Sequence, residues 1–275
     1  MFTSEVLTLE IDNEVATLWL DRPEERNAMG VEFWRDLPRA AAALREQKAV
    51  RVLIVAAKGP HFTVGLDLKE MGSVLVKSGA DAHSKARSSA ATYQAIRTMQ
   101  DAITSFAELP FPVVAAVHGY CIGGGIDLIS ACDIRLSSST ATFSVRETKV
   151  AIVADLGTLQ RLPRLIGAGH VAELAFTGHD IDATRAATIG LVNRICGDDA
   201  ASVMRGAREL ADQIAANSPL AVQGTKAVLA ANDGRRVSEG LEFVAHWNTM
   251  YLQSNDLKEA ITAFIERRPA VYTGD

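Results

Sequence analysis

Two glycine-bearing turns are placed where they would present main-chain N–H groups to a ligand. Residues 59–68 follow the apolar segment 50–57, and residues 118–127 follow the apolar segment 113–117. Glycines permit crowded backbone conformations, and a helix that begins at such a turn offers free N–H groups with a partial positive charge. Two such turns side by side would direct two N–H groups at one oxygen, which is an oxyanion hole.

The glycine cluster at residues 123–125 also has a purely structural explanation, since glycine lets a helix pack closely on a strand. Two phosphate-binding motifs are excluded. The chain has no G-x-G-x-x-G pattern at these turns and no G-K-[ST] after the glycines, so neither a dinucleotide fingerprint nor a phosphate loop is predicted.

Three carboxyl groups follow the turns, on Asp127, Glu147 and Asp155. The neighbours of Asp155 are mainly apolar, and an unpaired carboxylate in such surroundings is unfavourable and has a raised pKa. Each of the three carboxyl groups could instead have only a structural role. Asp127 suits the first turn of a helix, and Asp155 suits the N-cap of the helix that follows it. Glu147 could form a surface ion pair with Arg146 or Lys149. The order of all three after two glycine turns favours a functional role.

Composition limits the classes of partner. The 275 residues are 48% hydrophobic and 22% charged, which suits one large globular domain or a domain with a small appendage. The net charge of −5 argues against nucleic acid as a main partner, because phosphate contacts need a basic face. Cys121, Cys132 and Cys196 lack metal-ligand spacing and are interpreted as buried free thiols, so no metal site is predicted.

The location predicted from these features is cytoplasmic. The first residues carry acids among the apolar positions and lack the basic start of a signal peptide. No apolar run reaches the roughly 18 residues that a membrane span needs, so no membrane partner is predicted. The last four residues, 272–275, match neither a peroxisomal nor a retention address.

The apolar pattern predicts strands that alternate with helices early in the chain and helices alone later. Residues 6–11 and 15–20 predict a hairpin, and the segments 50–57 and 113–117 predict buried strands. Helical spacing is shown by Phe33, Trp34, Leu37, Ala41 and Leu44, with Pro38 expected to kink or shorten that helix, and again by Tyr93, Ile96, Met99, Ile103 and Phe106. The polar segment 72–83 is interpreted as a loop-like lid. The order of elements predicts an α/β core with a helical C-terminal appendage.

Several motifs in order resemble the enoyl-CoA hydratase/isomerase (crotonase) family over essentially the whole chain. They are Asp21-Arg22-Pro23 through Arg26-Asn27-Ala28-Met29, Phe62 through Leu68, Gly119 through Asp127, Ala131-Cys132-Asp133-Ile134-Arg135, and Gln160-Arg161-Leu162-Pro163. The resemblance implies a crotonase-like spiral of ββα units with a helical C-terminal trimerisation region. It places an acyl-CoA site in a core of residues 1–200 and assigns residues 201–275 to oligomerisation and CoA contact.

The same resemblance implies the ligand and its contacts. The substrate would be an acyl-CoA, so coenzyme A is part of the substrate and no separate cofactor is expected. The N–H groups of Leu66 and Gly124 would form the oxyanion hole. Substrate and CoA contacts are implied for Arg26, Ala28, Val64, Gly65, Asp67, Leu68 and Phe264. The implied assembly is a trimer or a dimer of trimers.

The acids indicate the reaction type within that family. Typical hydratases carry a glutamate where Asp127 stands, another matching Glu147, and a glycine-rich stretch at residues 153–157. This chain has aspartate at 127 and a carboxyl group at Asp155, which is similar to the dienoyl-CoA isomerase branch. The resemblance therefore implies isomerisation of 3,5-dienoyl-CoA to 2,4-dienoyl-CoA in fatty-acid-type β-oxidation. Hydration of 2-enoyl-CoA is the alternative, and a non-catalytic CoA-binding or scaffold protein is the less favoured one.

The isomerisation moves a proton from C2 to C6, and one group cannot easily reach both carbons. Our hypothesis is that Glu147 removes the C2 proton and that Asp155, kept protonated by its surroundings, delivers a proton at C6. Asp127 would orient or polarise Glu147.

Overall fold

The computed structural model describes residues 2–75 and 82–275. The strands are β1 (Leu7–Asp12), β2 (Val15–Leu20), β3 (Val52–Ala57), β4 (Val113–Val117), β5 (Tyr120–Ile122), β6 (Ile134–Ser137), β7 (Thr142–Ser144), β8 (Ile181–Asp182) and β9 (Arg194–Ile195). The helices are α1 (Val31–Arg45), α2 (Leu68–Leu75), α3 (Ala82–Ala107), α4 (Gly124–Ser130), α5 (Thr158–Ile166), α6 (Ala168–Thr177), α7 (Ala183–Thr188), α8 (Ala200–Ala215), α9 (Pro219–Ala231), α10 (Val237–Tyr251) and α11 (Asn255–Glu266). Short 3-10 turns occupy Pro23–Glu25 and Glu147–Val150.

A six-stranded sheet in the order β1-β2-β3-β4-β6-β9 forms the centre of the fold. The first two strands pair antiparallel, with Leu7 opposite Leu20, which confirms the predicted hairpin. The remaining neighbours pair parallel. Since β3 and β4 run in the same direction, the turns that follow them leave the sheet at the same edge. A second sheet has the order β5-β7-β8, and its strand β5 lies in the turn that follows β4.

Both faces of the sheet are covered, and successive side chains of β3 point to opposite faces. Leu53 and Val55 belong to the apolar core on one face, whereas Val52 and Ile54 belong to the core on the other. The second core is closed by α8, whose buried positions recur every four residues at Val203, Ala207, Ala211 and Ala215. Small alanines let the helix approach the strands closely. The sheet core therefore extends through Ala215, beyond the predicted division at residue 200.

Helix α1 runs through Pro38 without interruption, so the expected shortening is wrong. Proline removes one main-chain donor, but the buried face of the helix packs on both sides of that position. Leu37, Ala41 and Leu44 are fully buried there. The predicted loop at 72–83 is also wrong at its two ends, because α2 continues to Leu75 and α3 begins at Ala82. Residues 76–81 of that segment lie outside the described residues.

The last three helices bury little of their own surface. Their buried residues are Gly224, Gly240, Asp256 and Ala263. Their exposed apolar side chains include Leu229, Val237, Leu241, Met250, Ile261, Phe264 and Ile265. Within residues 2–75 and 82–275, none of the helices has the length and apolar character needed to cross a bilayer.

Candidate active site

The two glycine turns meet directly. Thr63 and Cys121 form an isolated parallel bridge, in which the Ile122 N–H donates to Thr63 O at 3.2 Å. Gly65 lies so close to the second turn that a Cβ atom there would stand 2.7 Å from Ile122 O and 3.4 Å from Gly124 N. Its φ of +83° also belongs to the region that favours glycine. The two turns therefore lie in van der Waals contact, with Gly65 against Ile122 and Gly124.

Each turn leaves one main-chain N–H group free. The Met29 N–H donates to Gly65 O at 2.8 Å and the Asp67 N–H donates to Met29 O at 3.1 Å, so the intervening Leu66 N–H points to the opposite side. Gly124 is the first residue of α4, where an N–H has no partner inside the helix. Within the described residues, neither N–H donates to another protein atom. Both residues line one pocket.

That pocket is mainly apolar and contains all three predicted acids. Its apolar walls include Trp34, Ile96, Met99, Ile122 and Leu156. Asp127, Glu147 and Asp155 line it together with Leu66 and Gly124. Carboxyl groups in such a setting are costly to ionise, and they act strongly on one another because little water separates them.

Asp127 is almost completely buried at the start of α4. One of its oxygens, Oδ1, accepts hydrogen bonds from the main-chain N–H and the hydroxyl of Thr158, each at 2.7 Å. Burial raises the pKa of Asp127 to about 6, against the lowering effect of the two Thr158 donors. Asp127 lies in the first turn of α4, as its structural alternative predicted. Its side chain also joins α4 to the start of α5 through the hydrogen bonds from Thr158.

Glu147 occupies the 3-10 turn that follows β7. Burial, followed by the charge of Asp127, raises its pKa to about 7. The Oε2 atom is buried and has no hydrogen-bond partner in the described structure. The surface ion-pair alternative is wrong, because Arg146 pairs with Asp180 and no described ion pair joins Glu147 to Arg146 or Lys149. Glu147 is thus a partly desolvated carboxyl group in the pocket, with one buried oxygen that no described protein group satisfies.

Asp155 belongs to the loop that precedes α5, and burial raises the pKa of its carboxyl group. The N-cap alternative is wrong, because α5 begins at Thr158 with Gly157 as its N-cap and no side-chain capping bond. Two contacts hold the loop. The Gln100 side chain donates to Asp155 O at 2.6 Å, and Arg161 donates to Leu156 O at 3.2 Å. The Asp155 carboxyl group is therefore available to the pocket.

The remaining predicted contacts divide into two groups. Val64, Gly65 and Leu68 line the pocket, whereas Arg26, Ala28, Asp67 and Phe264 do not. The Asp67 side chain is used locally, since it accepts from the N–H groups at the start of α2 and pairs with Arg22 at 3.2 Å. Phe264 is 84% exposed on α11. Contacts of all seven residues with the substrate or CoA stay predictions.

Sequence reasoning missed Thr158 as part of the site. Its partner Asp127 is 31 residues away, so no local pattern joins them. The pocket walls Ile96 and Met99 had been assigned only to the apolar face of a helix. The described residues contain no group of three or more His, Cys, Asp or Glu side chains arranged to hold a metal ion.

Gly65→Ala is expected to reduce kcat by about 100- to 1,000-fold, the effect of losing one oxyanion donor. The added methyl group would push the first turn away from Ile122 O. Steady-state kinetics would measure the loss. Gly169→Ala on α6 is the matched control, because nothing lies within 4 Å of its Cβ position and activity should be unchanged. Wild-type kcat in Gly65→Ala would show that this close approach has no catalytic role.

Fold and site together define a class of protein: an α/β chain whose pocket combines free main-chain donors for an oxyanion with carboxyl groups of raised pKa. Comparisons with known proteins are more specific. The sequence model of the enoyl-CoA hydratase/isomerase family matches residues 10–275. The chain therefore belongs to the enoyl-CoA hydratase/isomerase family, as its motifs had predicted.

Relatives and solved structures agree with this assignment. A peroxisomal Δ(3,5)-Δ(2,4)-dienoyl-CoA isomerase of Arabidopsis thaliana is 41% identical over 97% of this chain and 96% of its own length. A mitochondrial Δ(3,5)-Δ(2,4)-dienoyl-CoA isomerase of Dictyostelium discoideum is 40% identical over 94% of this chain and 87% of its own. The crystal structure of a putative enoyl-CoA hydratase from Streptomyces coelicolor A3(2) superimposes with a TM-score of 0.88 at 31% identity, covering 99% of this chain and 96% of that one. The predicted crotonase-like fold is confirmed.

The predicted cytoplasmic location is wrong by the same comparison. The relatives from Arabidopsis thaliana, Dictyostelium discoideum and Homo sapiens are named as peroxisomal or mitochondrial proteins. The absence of a recognised address signal is therefore no evidence for any compartment.

Proposed function

We propose that the protein isomerises 3,5-dienoyl-CoA to 2,4-dienoyl-CoA, a step of fatty-acid-type β-oxidation. One observation carries the proposal: Glu147 and Asp155 share a single apolar pocket with the free N–H groups of Leu66 and Gly124. The dienoyl-CoA isomerases that are 40–41% identical to this chain support it. Coenzyme A is part of the substrate, and the proposal needs no separate cofactor.

The reaction begins at C2, next to the thioester carbonyl. Glu147, whose pKa of about 7 makes it a stronger base than an ordinary carboxylate, removes the C2 proton. The electron pair of the broken C–H bond spreads over the two double bonds and onto the thioester oxygen. The N–H groups of Leu66 and Gly124 donate to that oxygen and stabilise its developing charge.

The second step restores the proton at C6. Asp155 gives a proton to C6, which leaves double bonds at C2 and C4; burial raises the pKa of its carboxyl group, which favours the protonated form. Glu147 then holds a proton and Asp155 has lost one, so the two carboxyl groups exchange protons with solvent before the next turnover. Asp127 accepts hydrogen bonds from Thr158 and acts on Glu147 through its charge.

A purified-protein assay separates this function from its alternatives. Given 3,5-dienoyl-CoA, the protein should produce the absorbance of a diene conjugated with the thioester, because the product extends the conjugated system. Given 2-enoyl-CoA, it should not add water at a comparable rate. Fast hydration without isomerisation would identify a hydratase that uses Asp127 and Glu147. A non-catalytic CoA-binding protein would fail to exchange the C2 hydrogen of a bound acyl-CoA with deuterium.

We propose further that the chain assembles as a trimer or a dimer of trimers through its last three helices. Their exposed apolar side chains support this, since surfaces of that kind mark protein interfaces. In such an assembly the helix that carries Phe264 would reach the CoA of a neighbouring subunit. Light scattering should give three or six times the 29.4 kDa chain mass. A monomer would refute the proposed assembly.

A further inference from the structure

Thr158 is a buried polar residue that the mechanism above does not use. It is fully buried as the first residue of α5. Its N–H and its hydroxyl both donate to the same Oδ1 atom of Asp127, each at 2.7 Å. Hydrogen bonds of this kind favour the ionised carboxylate and fix its orientation. Thr158 thus opposes the effect of burial on Asp127 most strongly, ahead of the positive charge of Arg161.

Asp127 in turn acts on Glu147. Glu147 Oε2 has no hydrogen-bond partner in the described structure, whereas Asp127 accepts two hydrogen bonds from Thr158, which favour its ionised form. The negative charge of Asp127 is, after burial, the largest cause of the raised pKa of Glu147. The other titratable groups that act on this pair in the described structure are Asp155, Arg161 and the buried thiol of Cys121. None of these donates a hydrogen bond to Asp127 there.

We propose that Thr158 is a positioning residue that acts on Glu147 through Asp127: its two hydrogen bonds hold Asp127 in the charged form, and that charge makes Glu147 the stronger base of the pair. The proposal rests on the proposed function, because it assigns to Glu147 the removal of the C2 proton. It predicts that losing a hydrogen bond at Asp127 makes Glu147 easier to ionise.

The test is the pH profile of kcat/KM for isomerisation in Thr158→Val. Valine keeps the shape of threonine and the main-chain N–H but lacks the hydroxyl donor. Asp127 then ionises less readily, and Glu147 loses its proton beside a neutral partner. The acid limb should move to lower pH by at most about one unit, because losing a hydrogen bond changes the pKa of Asp127 by roughly that amount and only part of the change reaches Glu147. Thr158→Ser retains the hydroxyl and should keep the wild-type limb.

Asp127→Asn provides a second route to the same result. It removes the charge itself, so its acid limb should shift in the same direction at least as far. Adding Thr158→Val to Asp127→Asn should produce no additional shift, since the two changes act through one charge. Carboxyl ¹³C NMR of the labelled protein would follow the titration of Asp127 and Glu147 directly and needs no turnover. Thr158→Ala also lacks the hydroxyl and serves if the valine variant does not fold.

An unshifted acid limb in an active Thr158→Val protein would overturn the inference, because a purely structural role lowers kcat or the melting temperature without moving that limb. A further shift in the Asp127→Asn background would also overturn it. Failure of the wild-type protein to isomerise 3,5-dienoyl-CoA would instead refute the proposed function. The NMR titration would still show whether Thr158 acts on Glu147 through Asp127.

Discussion

Asp155→Asn is expected to reduce isomerisation by about 100- to 10,000-fold, the range for loss of a general acid, while CoA-ester binding stays nearly unchanged. Asparagine has similar size and retains the main-chain carbonyl that accepts from Gln100, so the loop should keep its position. It cannot supply a proton to C6. Product formation from 3,5-dienoyl-CoA would be measured by absorbance, and ligand binding by calorimetry.

A partial reaction makes this test sharper. Because Glu147 and the two N–H donors are intact in Asp155→Asn, the variant should still exchange the C2 hydrogen of the substrate with deuterium. Asp101→Asn is the matched control, since Asp101 is exposed on α3 and its side chain contacts only Arg97 in the described structure. Substantial isomerisation by Asp155→Asn would show that another group delivers the proton at C6.

Glu147→Gln should abolish both isomerisation and C2 exchange, and it should also stabilise the protein at alkaline pH. Burial raises the pKa of Glu147 from 4.5 to about 7 in the folded state. Between those pH values the folded protein binds more protons at this carboxyl group than the unfolded chain does, so its contribution to the free energy of unfolding decreases as pH rises. Glutamine stays neutral and avoids that decrease.

The gain in the free energy of unfolding should therefore be small at pH 5 and about 1–3 kcal/mol at pH 8. Denaturant titration at a fixed protein concentration would measure it, since assembly also affects apparent stability. Glu209→Gln is the control, because Glu209 is an exposed acid on α8 and should give no pH-dependent gain. Equal stability of Glu147→Gln and the wild type at pH 8 would mean that Glu147 ionises in the folded state without penalty.

Where the pattern of apolar residues is long and regular, the sequence predicts the strands and helices well. The alternation of residues 6–11 and the uniformly apolar segment 50–57 specify strands, and both strands form. Residues 142–145 indicated a short strand, and β7 forms there, but the pairing of β5, β7 and β8 could not be predicted, because these strands have two or three residues each. Strands this short have no detectable period, and their pairing is fixed by tertiary contacts.

The site was predictable to the extent that its residues follow a motif. The acids and glycine turns lie in recognisable segments, and the pocket brings them together. The environment of each acid was not predictable. Asp127 is held by Thr158, and Glu147 lacks the ion pair that its neighbours suggested. Such contacts join elements that are distant in the chain, and no local propensity encodes them.

In the proposed mechanism, helix α3 would join the wall that contacts the acyl chain to the loop that carries the proton donor. Ile96 and Met99 form part of the pocket wall, and the next turn of α3 carries Gln100 and Thr104. Gln100 donates to Asp155 O, and Thr104 accepts from Arg161, which also holds the same loop. An acyl chain too bulky for the wall would displace α3 and move the proton donor with it. Selection for chain length would then operate on turnover as well as on affinity.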